Sequence, residues 1–539
     1  MRKIESLFIG ISLIAIIATI GGQLHHLNNT NAGGQHAYNF PSSKYGNFLA
    51  AQHAIYINDF VAASDFTANL ADVDYPIVQN TRLISEFLGG KLPENAHLLK
   101  NEKSMPAQLI YDAYLVQQGK WKELHNRHKT DKSALAAPLR IWSAIANDWR
   151  TNTFNFIDDL STNKSWKSFI RGQIYAELDD KEKAIEHFEK VSPEFMNIND
   201  YMYIMAYYKH IGRDDLCDAL RDRFTEQPGG MFIAEFDNIP DWSVYAGLEN
   251  ALAFSLVQNV SHTQIMMYSD LAIILLRFAE ITAPDFSKNS DAIHYYLGQF
   301  FYNNIGDYQV HFDKIKTDSP FYLFAVLRSA EKNGDISKLE EVTHAHPLFV
   351  PAVNKLIAHH IQHGNKRRAL RIIQRAIDNE NLNDQGRAFF LKSRAQIYYA
   401  FGDLKAAQQD IHDASDTLMI DAEIVSLQAK IWAAQGREIE NAYDYAMMLV
   451  KQNPADILAW DTLGYVISIR EGAPAALDVL ERVGEVSETC SSLFEHMGDM
   501  YVEIGEYDNA RNAYKRAIDL SDDGLTVVPN IERKIRKIK

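Results

Sequence analysis

Between residues 457 and 524 the chain repeats itself with a fixed period. Trp460, Leu463, Gly464, Ala476 and Leu480 return as Phe494, Met497, Gly498, Ala510 and Tyr514, each 34 positions later. A unit of this size cannot bury its own apolar face, so it folds only by stacking on neighbours of the same kind. In the second copy Phe494, Met497 and Tyr501 share one helix face, and Ala510, Tyr514 and Ala517 form a matching stripe on a second helix beyond a turn at Gly505. Gly498, Ala510 and Ala517 are the small surfaces that let the two helices approach.

This order of aromatic, Leu-Gly, Tyr, Ala, aromatic and Ala resembles the tetratricopeptide repeat. It departs once, at Asp522, where that repeat usually carries proline. The resemblance implies an all-α fold, a right-handed α-solenoid of stacked antiparallel helix pairs, with a role in protein–protein interaction. Composition agrees. A chain of 539 residues, 47% hydrophobic, is longer than a single core usually grows, and a solenoid escapes that limit. The excess of 70 acidic over 54 basic residues, a net charge of -16, argues against nucleic acid. Period-two alternation is essentially absent, so no strands are expected.

At the N-terminus Arg2 and Lys3 precede an apolar run over 7–20, too short for a comfortable membrane span and suited to a secretory signal. Residues 1–22 are therefore expected to be a signal peptide or signal anchor, and 23–43 a flexible leader. The mature protein is expected in the periplasm, with a possible membrane tether through this segment. Divergent repeats are expected over 44–227, with turns at Asn58-Asp59, Gly119, Asp179-Asp180 and Gly212. Pro228-Gly229-Gly230 interrupts the pattern and opens a divergent helical middle region, 228–320, whose segments 245–257 and 265–279 read as buried helices. Repeats resume at Leu297-Gly298, Phe301 and Gly306-Asp307, then form a C-terminal array over 321–524 with turns at Gly334, Gly364 and Gly402. Residues 525–539 read as a basic capping helix, with Ile531, Ile535 and Ile538 on one side and Arg533, Lys534, Arg536 and Lys537 on the other.

Chemistry-bearing motifs are scarce. The sequence has no Gly-rich phosphate loop, Gly-x-Ser-x-Gly, His-Glu-x-x-His or Cys-x-x-Cys. His359 and His363 share a helix face beside His360, with His344 and His346 nearby, but lack a well-placed third ligand, so no metal and no cofactor is expected. Lys366, Arg367, Arg368, Arg371 and Arg375 form a basic strip that reads as a solvated outer face. Cys217 and Cys490 are too far apart in a repeat stack to pair.

The whole chain is similar to exported tetratricopeptide proteins of Gram-negative envelopes, which implies a non-catalytic scaffold whose concave groove binds a protein. An enzyme with a site in the middle region, or a His-rich metal-binding protein, are the alternatives. In such arrays the first helix of each pair lines the concave face. The resemblance therefore places Asn354, Lys392, Gln396, Tyr399, Asp461, Tyr465, Glu495, Asp499 and Glu503 on its floor. That floor is acidic at its C-terminal end, with an aromatic beside it, and suits a protein or peptide ligand carrying basic and apolar residues.

Overall fold

A computed structural model describes residues 43–538, apart from 161, 228, 263–268, 304–306, 419–420 and 488. The signal expected over 1–22, the leader expected over 23–43 save for Ser43, and the turn glycine Gly306 lie outside the described residues. In chain order the helices are α1 (Lys44–Tyr56), α2 (Phe60–Ala68), α3 (Pro76–Leu88), α4 (Met105–Gln117), α5 (Trp121–His128), α6 (Ala137–Ala146), α7 (Arg150–Asp159), α8 (Lys164–Glu177) and α9 (Lys181–Glu189). There follow α10 (Ile198–His210), α11 (Asp214–Thr225), α12 (Leu248–His262), α13 (Ser269–Thr282), α14 (Pro284–Asn289), α15 (Asp291–Asn303) and α16 (Gln309–Phe312). The remainder are α17 (Pro320–Asn333), α18 (Ile336–Ala345), α19 (Val350–Gln362), α20 (Lys366–Ile377), α21 (Asp384–Ala400), α22 (Leu404–Ser415), α23 (Ala422–Gln435) and α24 (Ile439–Gln452). The chain closes with α25 (Ile457–Arg470), α26 (Ala473–Gly484), α27 (Ser491–Glu503), α28 (Tyr507–Asp519) and α29 (Val528–Lys537). Among the described residues there is no strand.

The pairs are made by one local device. The second residue after the first helix takes a left-handed backbone, as at Gly402 (φ 74) and Gly505 (φ 83), and Asn58 and Asp179 do the same where no glycine stands. The next residue is often an aspartate that caps the second helix: Asp59, Asp180, Asp335 and Asp403 accept from the backbone N–H three residues on. Close approach within the pairs follows the small residues. A Cβ at Gly464 would stand 2.3 Å from Leu480, and one at Gly498 would stand 2.5 Å from the Tyr514 ring.

The helices group into two compact units that interleave in sequence. The first comprises Met1–Lys190 and Pro240–Lys316, the second Val191–Ile239 and Thr317–Lys539. In this grouping residues 240–316 fall with the N-terminal helices, and the pair α10–α11 falls with the C-terminal repeats.

In the first unit α12 packs on α6 and α8, and α13 packs on α3 and α4. Of these partners, α4, α6 and α8 are the first helices of successive pairs. Residues 251–260 of α12 are all buried, and a helix apolar on every side must be covered on every side. Trp142 Nε1 donates to Ser255 Oγ at 2.8 Å, Phe254 stacks on Phe169 with centroids 6.1 Å apart, and Arg277 Nε donates to the Leu88 carbonyl at 2.9 Å. One face of these four helices is thus covered by α12 and α13.

In the second unit the pairs from α19 to α28 stack in order, each first helix packing between its own partner and the next pair. The one-turn helix Ser521–Asp523 returns to α19: Gln362 Nε2 donates to Ser521 Oγ at 2.9 Å, and a Cβ at Gly524 would meet Ala358 Cβ at 2.6 Å. Both cysteines lie in this unit, buried and free.

Candidate functional site

The first helices α19, α21, α25 and α27 carry the residues expected on the concave floor, and these fall into two sets. One set is locked into buried ion pairs. Asp461 on α25 is 0% exposed; its carboxylate accepts from Lys430 Nζ at 2.8 Å, Ser492 Oγ at 2.8 Å and His496 Nδ1 at 2.7 Å. Burial alone would raise its pKa, but Lys430 and His496 hold the carboxyl well below the usual range. Desolvation works against the Lys430 charge, and Asp461 outweighs it, so the lysine pKa is raised.

The same pattern recurs one pair earlier. Lys392 on α21 is buried, with Nζ 2.9 Å from Asp421 and 2.7 Å from Glu423. Tyr465 stacks on His496 with centroids 4.5 Å apart, and burial raises its phenol pKa. Tyr399 of α21 lies against Tyr465, and burial followed by the charges around it pushes its pKa well up. Lys392, Tyr399, Asp461 and Tyr465 therefore meet neighbouring helices of the same unit and tie successive pairs together.

The other set is accessible. Asn354, Asp499 and Glu503 are exposed, while Gln396 and Glu495 are half-buried. Glu495 Oε1 and Asp499 Oδ2 both accept from Lys534 Nζ of α29, at 2.8 and 2.6 Å. Asp499 also accepts from the Tyr514 hydroxyl at 2.6 Å, and the Lys534 ammonium lies 5.7 Å from the centre of that ring. Burial would lower the Lys534 pKa; Glu495 and Asp499 more than offset it and raise the value.

Sequence reading missed Lys430, Ser492, His496 and Lys534 as members of this face. Lys430 had a visible signal, since a lone lysine inside Leu-Gln-Ala-Lys-Ile-Trp needs a buried counter-charge. Ser492, His496 and Lys534 had none, because their roles arise from what lies opposite.

Elsewhere, a cavity of about 360 Å³ opens in the first unit beside Gln108, Asp112, Arg127, His128 and Asp131. Asp112 is fully buried and accepts from Arg127 Nε at 2.6 Å and His128 Nε2 at 2.8 Å, so its charge is already met. The cavity lies outside 228–320, where an enzymatic site was the alternative. The His359 and His363 rings stand 4.2 Å apart. Among the described residues no group of three or more His, Cys, Asp or Glu is gathered to hold a metal.

No curated protein matches the sequence. Among solved structures, a tetratricopeptide repeat protein from Parabacteroides merdae ATCC 43184 is similar over 54% of this chain and 98% of its own, with 14% identity and a TM-score of 0.29. The Cut9-Hcn1 hetero-tetramer of the APC/C is similar over 92% of this chain and 96% of its own, with 11% identity and a TM-score of 0.31. The profile of the tetratricopeptide repeat matches residues 169–192, which hold the end of α8 and all of α9, and residues 492–523, which hold α27 and α28. Built of helix pairs joined by left-handed turns, the chain carries a stretch that matches the tetratricopeptide repeat in each of its two units.

Proposed function

We propose that the protein is a non-catalytic scaffold of a bacterial cell envelope, exported by residues 1–22, whose second unit binds a segment of a partner protein carrying basic and apolar residues. Tetratricopeptide repeats generally bind proteins, and this role is the coarse part of the reading. The observation that carries the finer part is the acidic patch of α27, with Asp499 and Glu503 exposed and Glu495 half-buried beside them, and Gln396 and Asn354 on the same series of first helices. Two carboxylates on successive turns of one helix present a fixed pair of acceptors to a lysine or arginine. In the first unit the corresponding face is taken by α12 and α13, which favours the second unit as the binding half.

The test is a pull-down from envelope extract with the full-length protein at rising salt. Capture should weaken as ionic strength rises. Asp499→Lys combined with Glu503→Lys should lower affinity roughly tenfold, about 1.4 kcal/mol, with unchanged helical content. A partner held equally well by the double variant would move the interface off α27. N-terminal mass spectrometry of the same material should show a mature start near residue 22 or 33; an intact Met1 in a cytosolic fraction would sink the export reading.

A further inference from the structure

The acidic patch on α27 is already in use. The segment that follows α28 leaves it through Ser521–Asp523, passes Ala358 and Gly364 of the first array pair, and lays α29 beside the last. Pro529 Cγ would stand 3.4 Å from a Cβ at Gly364, so this crossing is a close one. Asp523 accepts from both the N–H and the hydroxyl of Ser491, at 2.7 and 2.6 Å, which pins the crossing to the start of α27. On α29 itself Ile531, Lys534, Ile535 and Ile538 fall at i, i+3, i+4 and i+7, one face of a helix. Ile531 is 0% exposed in the core of the last pairs, and Ile535 and Ile538 pack against the same cluster. Between them Lys534 reaches Glu495 and Asp499. Glu532, Arg533, Arg536 and Lys537 face solvent.

That is the chemistry expected of a ligand for this patch: a basic residue set among apolar ones on a short helix. It also differs from the rest of the array. It follows the last pair without a second helix of its own, as a single helix of ten residues, too short to persist alone in water. Its seat holds a buried isoleucine and a lysine clamp, while its remaining charges make no use of the array.

We infer that α29 is an intramolecular occupant of the partner site, and that the partner binds as an amphipathic basic helix with an apolar-x-x-basic-apolar face, replacing α29 on Glu495, Asp499 and the Ile531 seat. The inference rests on the scaffold reading above and adds what the partner looks like and how access to it is regulated. Tethering places α29 at its seat at an effective concentration in the millimolar range, so a free helix of equal affinity competes poorly until the tethered one is weakened.

The experiment uses the chain's own segment as probe: a fluorescein-labelled peptide of residues 526–539, read by anisotropy against the full-length protein. The wild-type protein should bind it weakly. Full-length Lys534→Glu, in which the clamp becomes a repulsion, should bind the same peptide at least tenfold more tightly. Adding Glu495→Lys and Asp499→Lys to that variant should remove the gain, and a scrambled peptide of identical composition should show none. No gain in Lys534→Glu with intact helical content, or a gain that survives reversal of both carboxylates, overturns the inference. A second measurement needs no variant. In hydrogen exchange on the wild-type protein, the α29 amides should exchange at least tenfold faster than those of α28. Exchange of α29 only together with α28 would make it an integral cap and refute the proposal. Failure here leaves the scaffold reading standing with its partner elsewhere, whereas peptide exchange without any envelope partner in the pull-down counts against the scaffold reading alone.

Discussion

Asp461 illustrates how a residue chosen for one role can be held in another. Its position between the packing residues of α25 marks it for the expected concave floor, and its charge suggests a contact for a basic partner. Yet the next first helix on each side brings Lys430 and His496 within 2.8 Å, and the carboxylate is consumed there. Removing one member of a buried ion pair strands the other in a dry interior, which costs on the order of 3–5 kcal/mol, whereas replacing both by apolar groups is often nearly neutral. Asp461→Ala should therefore destabilise the second unit by about 3 kcal/mol or more in urea unfolding, and Lys430→Met with Asp461→Leu should recover most of that loss. Equal losses in the two variants would mean that the pair contributes packing and not charge. The same reasoning disqualifies Asp461 as a probe of ligand binding, because a lysine there would face Lys430.

At the scale of elements, the first unit is built around helices that no repeat pattern announces. α12 and α13 lack a turn glycine and a clean polar face, so their sequences indicate burial without indicating what buries them. The answer is the inner side of α3, α4, α6 and α8. The pair α15–α16 closes the same unit and carries two buried histidines. Burial first, and then Lys314, lowers the His294 pKa to about 4; burial, Arg277, Lys314 and His294 together lower that of His311 to about 3. Glu280 opposes the shift at His294 but does not reverse it. Both rings are neutral in the folded state, while in the unfolded chain they protonate near the ordinary histidine value. Stability is therefore greatest above about pH 6.5 and falls as the pH drops from there toward 4 and then 3, by about 3 kcal/mol for His294 and about 5 kcal/mol for His311 once the drop is complete. Melting of the wild-type protein between pH 7 and pH 4.5 should show this decline, and His311→Leu should flatten it. A variant that loses stability in parallel with the wild type would assign the acid sensitivity to other groups.

Across the whole molecule the two units exchange segments, because Val191–Ile239 is inserted in sequence between the two parts of the first unit while packing with the second. Phe232 in that segment is 0% exposed, with ring centroids 5.1 Å from Phe349 and 5.8 Å from Phe324, and Asn383 Nδ2 donates to the Thr225 carbonyl at 3.3 Å. A fragment of residues 317–539 would leave Phe349 and Phe324 uncovered. It should aggregate or melt several degrees below a version in which residues 191–239 are joined ahead of it by a flexible linker. If the two fragments melt together, the inserted segment is dispensable to the second unit.

The sequence by itself determined what is local. The period of 34 between Trp460 and Phe494, the glycines facing Leu480 and Tyr514, and the turn residues Gly402, Gly505, Asn58 and Asp179 each act within one pair of helices. Each was legible, because steric approach and left-handed φ are properties of a few adjacent residues. Asp148 and Gly436 make the same turn and were passed over, since the repeats around them lack the aromatic and Leu-Gly signature that marks the others. The floor expected of a groove was legible only as a set of positions. Which of its charges remain free depends on contacts between residues dozens to well over a hundred positions apart: Lys430 with Asp461, Lys534 with Asp499, Gln362 with Ser521. Only the tertiary structure decided those, because a solenoid specifies each repeat's neighbours along the chain but leaves the pairing of charges across its inner face to the curvature of the stack. That curvature is the sum of many small rotations, and no single residue encodes it.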